Sequence, residues 1–290
     1  MMLKGYAFIV AAALQWGMIG PFSRMAFQEG LSPVEVAFWR ALLAWILFGG
    51  HAVIRQELKL HRKDIGYLLA FGFCGVTLFY YFYQMAVLQG GAALAAVLLY
   101  TAPAWVILFS RIFFKEAITP MKLLALLLTI AGVSAISIGN SAGGGMAAVP
   151  LRVSAIGFGL LSGFCYSLYY IFGKFFSGRY SSANLFLYIL PIGFLGMLPW
   201  VTFTHKTPTA WLALGLLVVI CTYGANSCYY AGLKYLEAGR AAIVATVEPV
   251  MAAVAAYFWW HEVFSFQGYL GSMLVLAAVI LMIKDDSGSR

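Results

Sequence analysis

Charge is what this chain has least of. Of its 290 residues only 10% are Asp, Glu, Lys or Arg, while 63% are hydrophobic. A chain so built cannot clothe a water-soluble globule in polar surface, so the bilayer has to be its main solvent. Motifs of enzyme chemistry are missing as well. No glycine-rich phosphate loop follows a strand, no His-Glu-x-x-His occurs, and His51, His61, His205 and His261 have no metal-spaced partners. Without a Walker motif, ATP-driven pumping by this chain alone is excluded, and gradients must supply any uphill work. Cysteine is scarce too. Cys74, Cys165, Cys221 and Cys228 show no Cys-x-x-Cys or Cys/His metal spacing and read as reduced packing residues. No cofactor, metal or catalytic group is called for, and no enzyme activity.

What is there is a succession of apolar segments of membrane length. A spanning helix needs roughly 20 apolar residues, and short polar or turn-forming breaks divide the chain into spans near 5–27, 33–54, 65–88, 92–114, 120–140, 153–176, 183–203, 209–233, 240–260 and 266–284. The expected fold class is therefore an all-α membrane protein with ten transmembrane helices. The first span resembles a signal peptide in position only, because Gln15, Trp16 and Arg24 interrupt its far end and no small-residue cleavage pattern follows.

The net charge of +8 would suggest nucleic acid in a soluble protein. Here the basic residues follow topology. With the N-terminus inside, the inward segments hold Lys4, Arg55, Lys59, Arg62, Lys63, Arg111, Lys115, Lys122, Lys174, Arg179, Lys234, Arg240, Lys284 and Arg290, whereas the outward ones keep Arg24, Arg152 and Lys206. This bias predicts cytoplasmic N- and C-termini. The basicity reports orientation and contact with anionic membrane lipids, with no nucleic-acid partner implied.

The chain also repeats itself. Residues near 16–40 align with those 150 positions later, and residues near 65–133 with those 146 later. Arg24 meets Lys174, Phe22 meets Phe172, Tyr83 meets Tyr229, Pro103 meets Pro249 and Glu116 meets Glu262. Apolar similarity between membrane helices is cheap, but a proline and a glutamate held at one offset are not. The division expected is a first five-helix repeat over 1–140, a linker over 141–151 with Gly143-Gly144-Gly145 inside it, a second repeat over 152–284 and a tail over 285–290. Five spans is an odd number, so the second copy enters from the opposite side and the halves are inverted repeats. Such a pair can adopt two mirrored conformations, the physical basis of alternating access.

Joints support the segmentation. Ser32-Pro33-Val34-Glu35 reads as a capping box with proline at the first helical position, Thr119-Pro120 repeats the cap, and Gly90-Gly91 turns the third span into the fourth.

Polar and aromatic residues inside spans are unfavourable among lipid tails unless they face protein or a water-filled cavity. On the third span Thr77, Tyr80 and Gln84 recur on one helical stripe, and their repeat mates on the eighth are Tyr223, Asn226 and Tyr230. This places the two stripes facing each other, as candidate substrate-binding positions. Any single tyrosine of the 17 more often belongs to an interfacial belt or to helix packing, and Gln84 and Asn226 serve equally well as interhelical hydrogen-bonding groups. Trp16 beside Gln15, Tyr166 with Tyr170, and Tyr100, Thr101 and Thr246 extend the candidate lining.

Glu248 is the one carboxylate near the middle of a span, and it precedes Pro249, which leaves a backbone carbonyl free. Holding a charged carboxylate there costs about 2.5–3.5 kcal/mol on insertion scales. It either binds and releases a proton during a transport cycle or meets a cationic substrate, or else it is structural, bonded to a neighbouring helix or to Arg40, the lone intramembrane cation. Glu116 and Glu262 end their spans beside Lys115 and His261 and read as interfacial structural groups, while Glu35 is accounted for by its cap.

Taken together, ten spans, two repeats, Glu248-Pro249-Val250 in the ninth span and Glu116 and Glu262 closing the fourth and ninth resemble the EamA-type members of the drug/metabolite transporter superfamily. The resemblance covers nearly the whole chain. It implies a multi-pass protein of the bacterial cytoplasmic (inner) membrane, monomeric or weakly oligomeric, that exports or exchanges a small-molecule substrate: amino acids, related metabolites or xenobiotics. It also implies a central cavity lined by spans one, three, four, six, eight and nine. The family includes aromatic amino-acid exporters, a substrate class with which an aromatic lining is compatible through stacking. A passive facilitator for small solutes and a multidrug efflux carrier stand as alternatives.

Overall fold

In the computed structural model, which describes residues 2–141, 153–260 and 265–288, the chain is helical throughout, and ten of its helices are long and apolar enough to cross a membrane. They are α1 (Met2–Gln28), α2 (Pro33–Ile54), α3 (Arg62–Gly90), α4 (Leu94–Phe113), α5 (Pro120–Ser137), α6 (Val153–Phe176), α7 (Ser182–Trp200), α8 (Pro208–Leu233), α9 (Ala238–Trp259) and α10 (Phe266–Asp285). Among the described residues there is no strand. Most of the linker over 141–151, with Arg152, His261 and Glu262, lies outside the described residues. The last helix continues to Gly288, through most of the segment expected as a tail.

Local chemistry sets the helix starts. The Ser32 hydroxyl accepts from the Glu35 backbone N–H at 3.2 Å, and that of Thr119 accepts from Lys122 N–H at 3.1 Å. Ser181 and Thr207 cap α7 and α8 in the same way. The return half of the first capping box is not made: the Glu35 carboxylate instead binds Thr204 and Lys206 in the α7–α8 connection. The corner between α3 and α4 also differs from a glycine turn. The backbone stays helical from Phe79 to Leu99, yet its neighbours on α6 reverse in order, Phe82 lying against Phe158, Gly90 against Ala155 and Leu98 against Gly159.

The principal contacts pair α1 with α8, α3 and α4 with α6, α2 with α7, and α5 with α10. In each pair one helix comes from either half. The α5–α10 crossing brings Gly132 and Gly271 backbones together, where a side chain on Gly132 would meet the Gly271 carbonyl at 2.7 Å. Tyr229, Phe48, Phe71, Phe176 and Phe186 are fully buried inside this arrangement, whereas Leu127, Phe258, Met273 and Phe266 are exposed on the outside, as a lipid-facing surface requires.

Three helices are interrupted at mid-depth. α1 breaks at Met18, α4 at Tyr100-Thr101 and α9 at Thr246-Val247. The last two breaks are repeat mates, each just ahead of a proline, Pro103 or Pro249. A wide π-helical stretch ends at Leu78 in α3 and another at Gly224 in α8, again at the 146-residue offset. Such stretches recur at functional sites because they re-aim the side chains that follow.

Candidate functional site

The interruptions surround a cavity of about 230 Å³ lined by Trp16, Ile19, Arg40, Ala41, Gly75, Val76, Phe79, Tyr80, Tyr83, Leu99, Tyr166, Tyr169, Leu190, Thr222, Asn226 and Glu248. Most of the wall is aromatic or aliphatic, with a few convergent polar groups, the usual make-up of a small-molecule site. Glu248 stands at the first position of the second half of α9, where helix-terminal N–H groups favour a carboxylate. Backbones approach closely at the breaks of α9 and α4. A side chain on Gly17 would meet the Glu248 carbonyl at 2.8 Å, and one on Gly163 would meet the Leu98 carbonyl at 2.7 Å.

Arg40 projects from the middle of α2. Its Nε donates to the Thr222 hydroxyl at 2.7 Å, and that hydroxyl donates in turn to the Leu217 carbonyl at 3.0 Å. The carbonyl Leu217 offers lies next to the π-helical stretch of α8, so the widened turn provides the acceptor that orients Thr222. Arg40 and Glu248 line the same cavity, but no ion pair joins them among the described residues. Tyr169 donates to the Asn226 side-chain oxygen at 3.4 Å.

A second cavity, about 290 Å³ and mostly apolar, shares Ile19, Arg40, Tyr80 and Tyr83 with the first and extends to Ser23, Phe27, Gln84, Leu88 and Trp200. It leads toward the face that carries the α1–α2 and α7–α8 connections. The opposite face is tied shut. The Glu116 carboxylate at the end of α4 accepts from the N–H groups of Ala238 (2.9 Å) and Gly239 (3.3 Å) at the start of α9. Lys174 at the end of α6 donates to the Leu233 (2.7 Å) and Leu236 (2.5 Å) carbonyls at the end of α8. Each charge thus meets the helix terminus of complementary sign. Around them Lys122 pairs with Glu237 at 2.7 Å, and Arg240 with Glu237 at 3.1 Å and Asp285 at 3.0 Å. Burial draws the Glu237 carboxyl upward, but Lys122 and Arg240 outweigh it and hold the group below its usual range.

Comparison with known proteins agrees with this architecture. The sequence profile of the EamA-like transporter family matches residues 3–138 and again residues 153–284. The chain belongs to the EamA-like transporter family. Relatives along its length include an uncharacterized transporter of Archaeoglobus fulgidus, 28% identical over 286 residues and 98% of either chain. The uncharacterized transporter YdfC of Bacillus subtilis is 25% identical, covering 91% of this chain and 86% of its own. The uncharacterized inner membrane transporter YicL of Salmonella typhimurium is 24% identical, covering 98% and 96%. One crystal structure shares the fold, with a TM-score of 0.82 at 16% identity over 96% of this chain and 95% of its own. This EamA-family chain is a multi-pass inner-membrane protein, with ten membrane-length helices among its described residues.

Of the residues singled out from the sequence of this EamA-family member, Trp16, Tyr80, Tyr166, Asn226 and Glu248 meet in the first cavity, and Thr77, Tyr80 and Gln84 border the second. Thr77 is nonetheless buried and donates to the Ile192 carbonyl at 3.3 Å. The others sit behind the wall. Tyr170 donates to the Tyr166 hydroxyl at 3.2 Å, Tyr223 pairs with His51 at 2.7 Å, Tyr230 packs on Phe186, and Thr246 donates to the Ile243 carbonyl at 2.5 Å. Tyr100 closes the α4 break without lining either cavity, close enough to Glu248 to interact electrostatically. The two stripes therefore do not face each other along their length. Across the two stripes, Tyr80 and Asn226 are the pair that lines one cavity; Thr77 and Tyr223 lie inside the π-helical stretches themselves, where a 3.6-residue register does not hold. Arg40 from α2 and Leu190 from α7 join the wall, so two more helices contribute than the resemblance implied. Arg40 was legible as the lone intramembrane cation; Thr222 and Tyr169 carried no sequence signal of their own.

Proposed function

We propose that this chain is a secondary transporter, an exporter or exchanger that moves a small metabolite by alternating access, with amino acids, aromatic ones included, as the substrates to test first. The observation that carries this reading is the contrast between repeat mates. Ser23 and Gln84 line the wide second cavity, while their mates Gly173 and Tyr230 pack together, a side chain on Gly173 meeting the Tyr230 hydroxyl at 3.3 Å. Two copies of one design in different states, one side open and the other latched, are what an inverted pair presents at one end of its cycle. The double family match, the paired helix breaks and the paired π-helical stretches support the duplication and the inversion.

The positive-inside bias orients the latched face toward the cytoplasm and the open cavity toward the outside. In this reading Trp16, Tyr80, Tyr166 and Asn226 contact substrate directly, Thr77 and Gln84 line its approach, and Tyr100, Tyr170, Tyr223, Tyr230 and Thr246 hold the wall that moves between states. Glu248 is the coupling group, a carboxyl inside the cavity that can take up and release a proton as access alternates.

Counterflow of labelled amino acids into proteoliposomes of the purified protein, with and without an imposed pH gradient, tests the reading. Saturable counterflow is expected, and Glu248→Gln should transport at a rate independent of the gradient. A linear, unsaturable flux would replace the carrier with a passive facilitator. A Glu248→Gln variant that kept its full response to the gradient would remove Glu248 from coupling.

A further inference from the structure

Arg40 and Glu248 carry opposite charges into one cavity of about 230 Å³, and no ion pair joins them among the described residues. Opposite charges lining one cavity suit a ligand that carries both complementary charges. The Arg40 guanidinium is held through Nε by Thr222 and lines the cavity, and a guanidinium is a planar fork whose geometry matches a carboxylate. Glu248, at a helix N-terminus across the same space, presents an acceptor. Asn226 lines the same cavity, and Trp16, Phe79 and Tyr80 provide apolar wall.

We infer that Arg40 and Glu248 form a split site for a zwitterion, Arg40 receiving the carboxylate of an amino acid and Glu248 its ammonium group, with the side chain against the aromatic wall. This rests on the transporter reading and specifies its substrate class. It also assigns to Arg40 a recognition role, and to Thr222 the role of positioning residue for the guanidinium.

The test uses three probes of one shape: L-phenylalanine, phenethylamine, which lacks the carboxylate, and 3-phenylpropionate, which lacks the amine. Binding is read from the rise in melting temperature of the purified full-length protein in detergent, and exchange from counterflow in proteoliposomes. L-Phenylalanine should bind more tightly than either truncated probe by roughly ten- to a hundredfold, the scale of losing one charge-assisted hydrogen-bond partner. Arg40→Met should bring L-phenylalanine and phenethylamine within about twofold of each other, and Arg40→Lys should restore part of the gap. Equal binding of all three probes by the native protein overturns the split site without any variant, as does an Arg40→Met protein that keeps the native discrimination. Saturable exchange of phenethylamine with no response to L-phenylalanine overturns the zwitterion site and leaves the carrier standing. The native order of binding without any exchange supports the site and overturns the carrier.

Discussion

At the scale of single residues, burial and hydrogen bonding divide the polar groups of the spans into those that face a cavity and those that are spent on the fold. Asn226 and Tyr80 belong to the first kind, being the members of the two sequence stripes that reach the same cavity. Asn226→Ala and Tyr80→Ala should each weaken substrate binding by about 0.5–1.5 kcal/mol or somewhat more, seen as a severalfold rise in the half-saturation of counterflow at unchanged expression. Unaltered affinity in both would take them out of the site. Thr246 belongs to the second kind, its hydroxyl bonded to the Ile243 carbonyl, and Thr77 stands between the two, bordering a cavity while its hydroxyl is bonded to the Ile192 carbonyl. These assignments explain why residue type alone was a partial guide. Serine, threonine and tyrosine in a span look the same in sequence whether they meet a substrate or a carbonyl one turn away, whereas an arginine or glutamate at mid-span has few ways to be satisfied and draws attention wherever it sits.

At the scale of helices, charged side chains on helix termini close one face of the molecule. Glu116 on the start of α9 and Lys174 on the end of α8 join α4 to α9 and α6 to α8. The interfacial structural role expected for Glu116 is thereby given a definite form: it caps a helix of the other half. If opening that face requires these contacts to part, Glu116→Gln and Lys174→Met should favour the open form. In a cysteine-free background, a thiol introduced by Tyr230→Cys should then react severalfold faster with a membrane-impermeant reagent applied to inside-out vesicles. Rates equal to those of the latched parent would show that the termini contribute stability but not gating.

The same face gives the whole molecule a pH dependence. Glu237 is bridged by Lys122 and Arg240 and titrates below its usual range once folded. A depressed carboxyl contributes stability that is fully present above its unfolded pKa and is lost as pH falls through the lower folded value. The melting temperature of the native protein should therefore exceed that of Glu237→Gln by about 1–3 °C at neutral pH, a modest amount because the pair is partly solvated. The difference should vanish on acidification below the ordinary carboxylate range. A constant gap across that range would assign the effect to packing rather than charge.

The number of spans, their limits to within a few residues, the caps at Ser32 and Thr119 and the repeat offsets were all determined by the sequence. Each follows from local chemistry, namely the length of an apolar run, a hydroxyl before a proline, or a residue type recurring at one spacing. The mid-depth breaks were half legible, since Pro103 and Pro249 mark where a backbone bond must fail but not what approaches the gap. Only the tertiary structure decided that Arg40 and Glu248 share a cavity, that Arg40 is held by Thr222, that Tyr223 and Tyr230 do not line the cavity of Tyr80, and that Glu35 serves the α7–α8 connection. Those outcomes depend on groups far apart in the chain. Periodicity within one segment carries no record of what the facing helix presents.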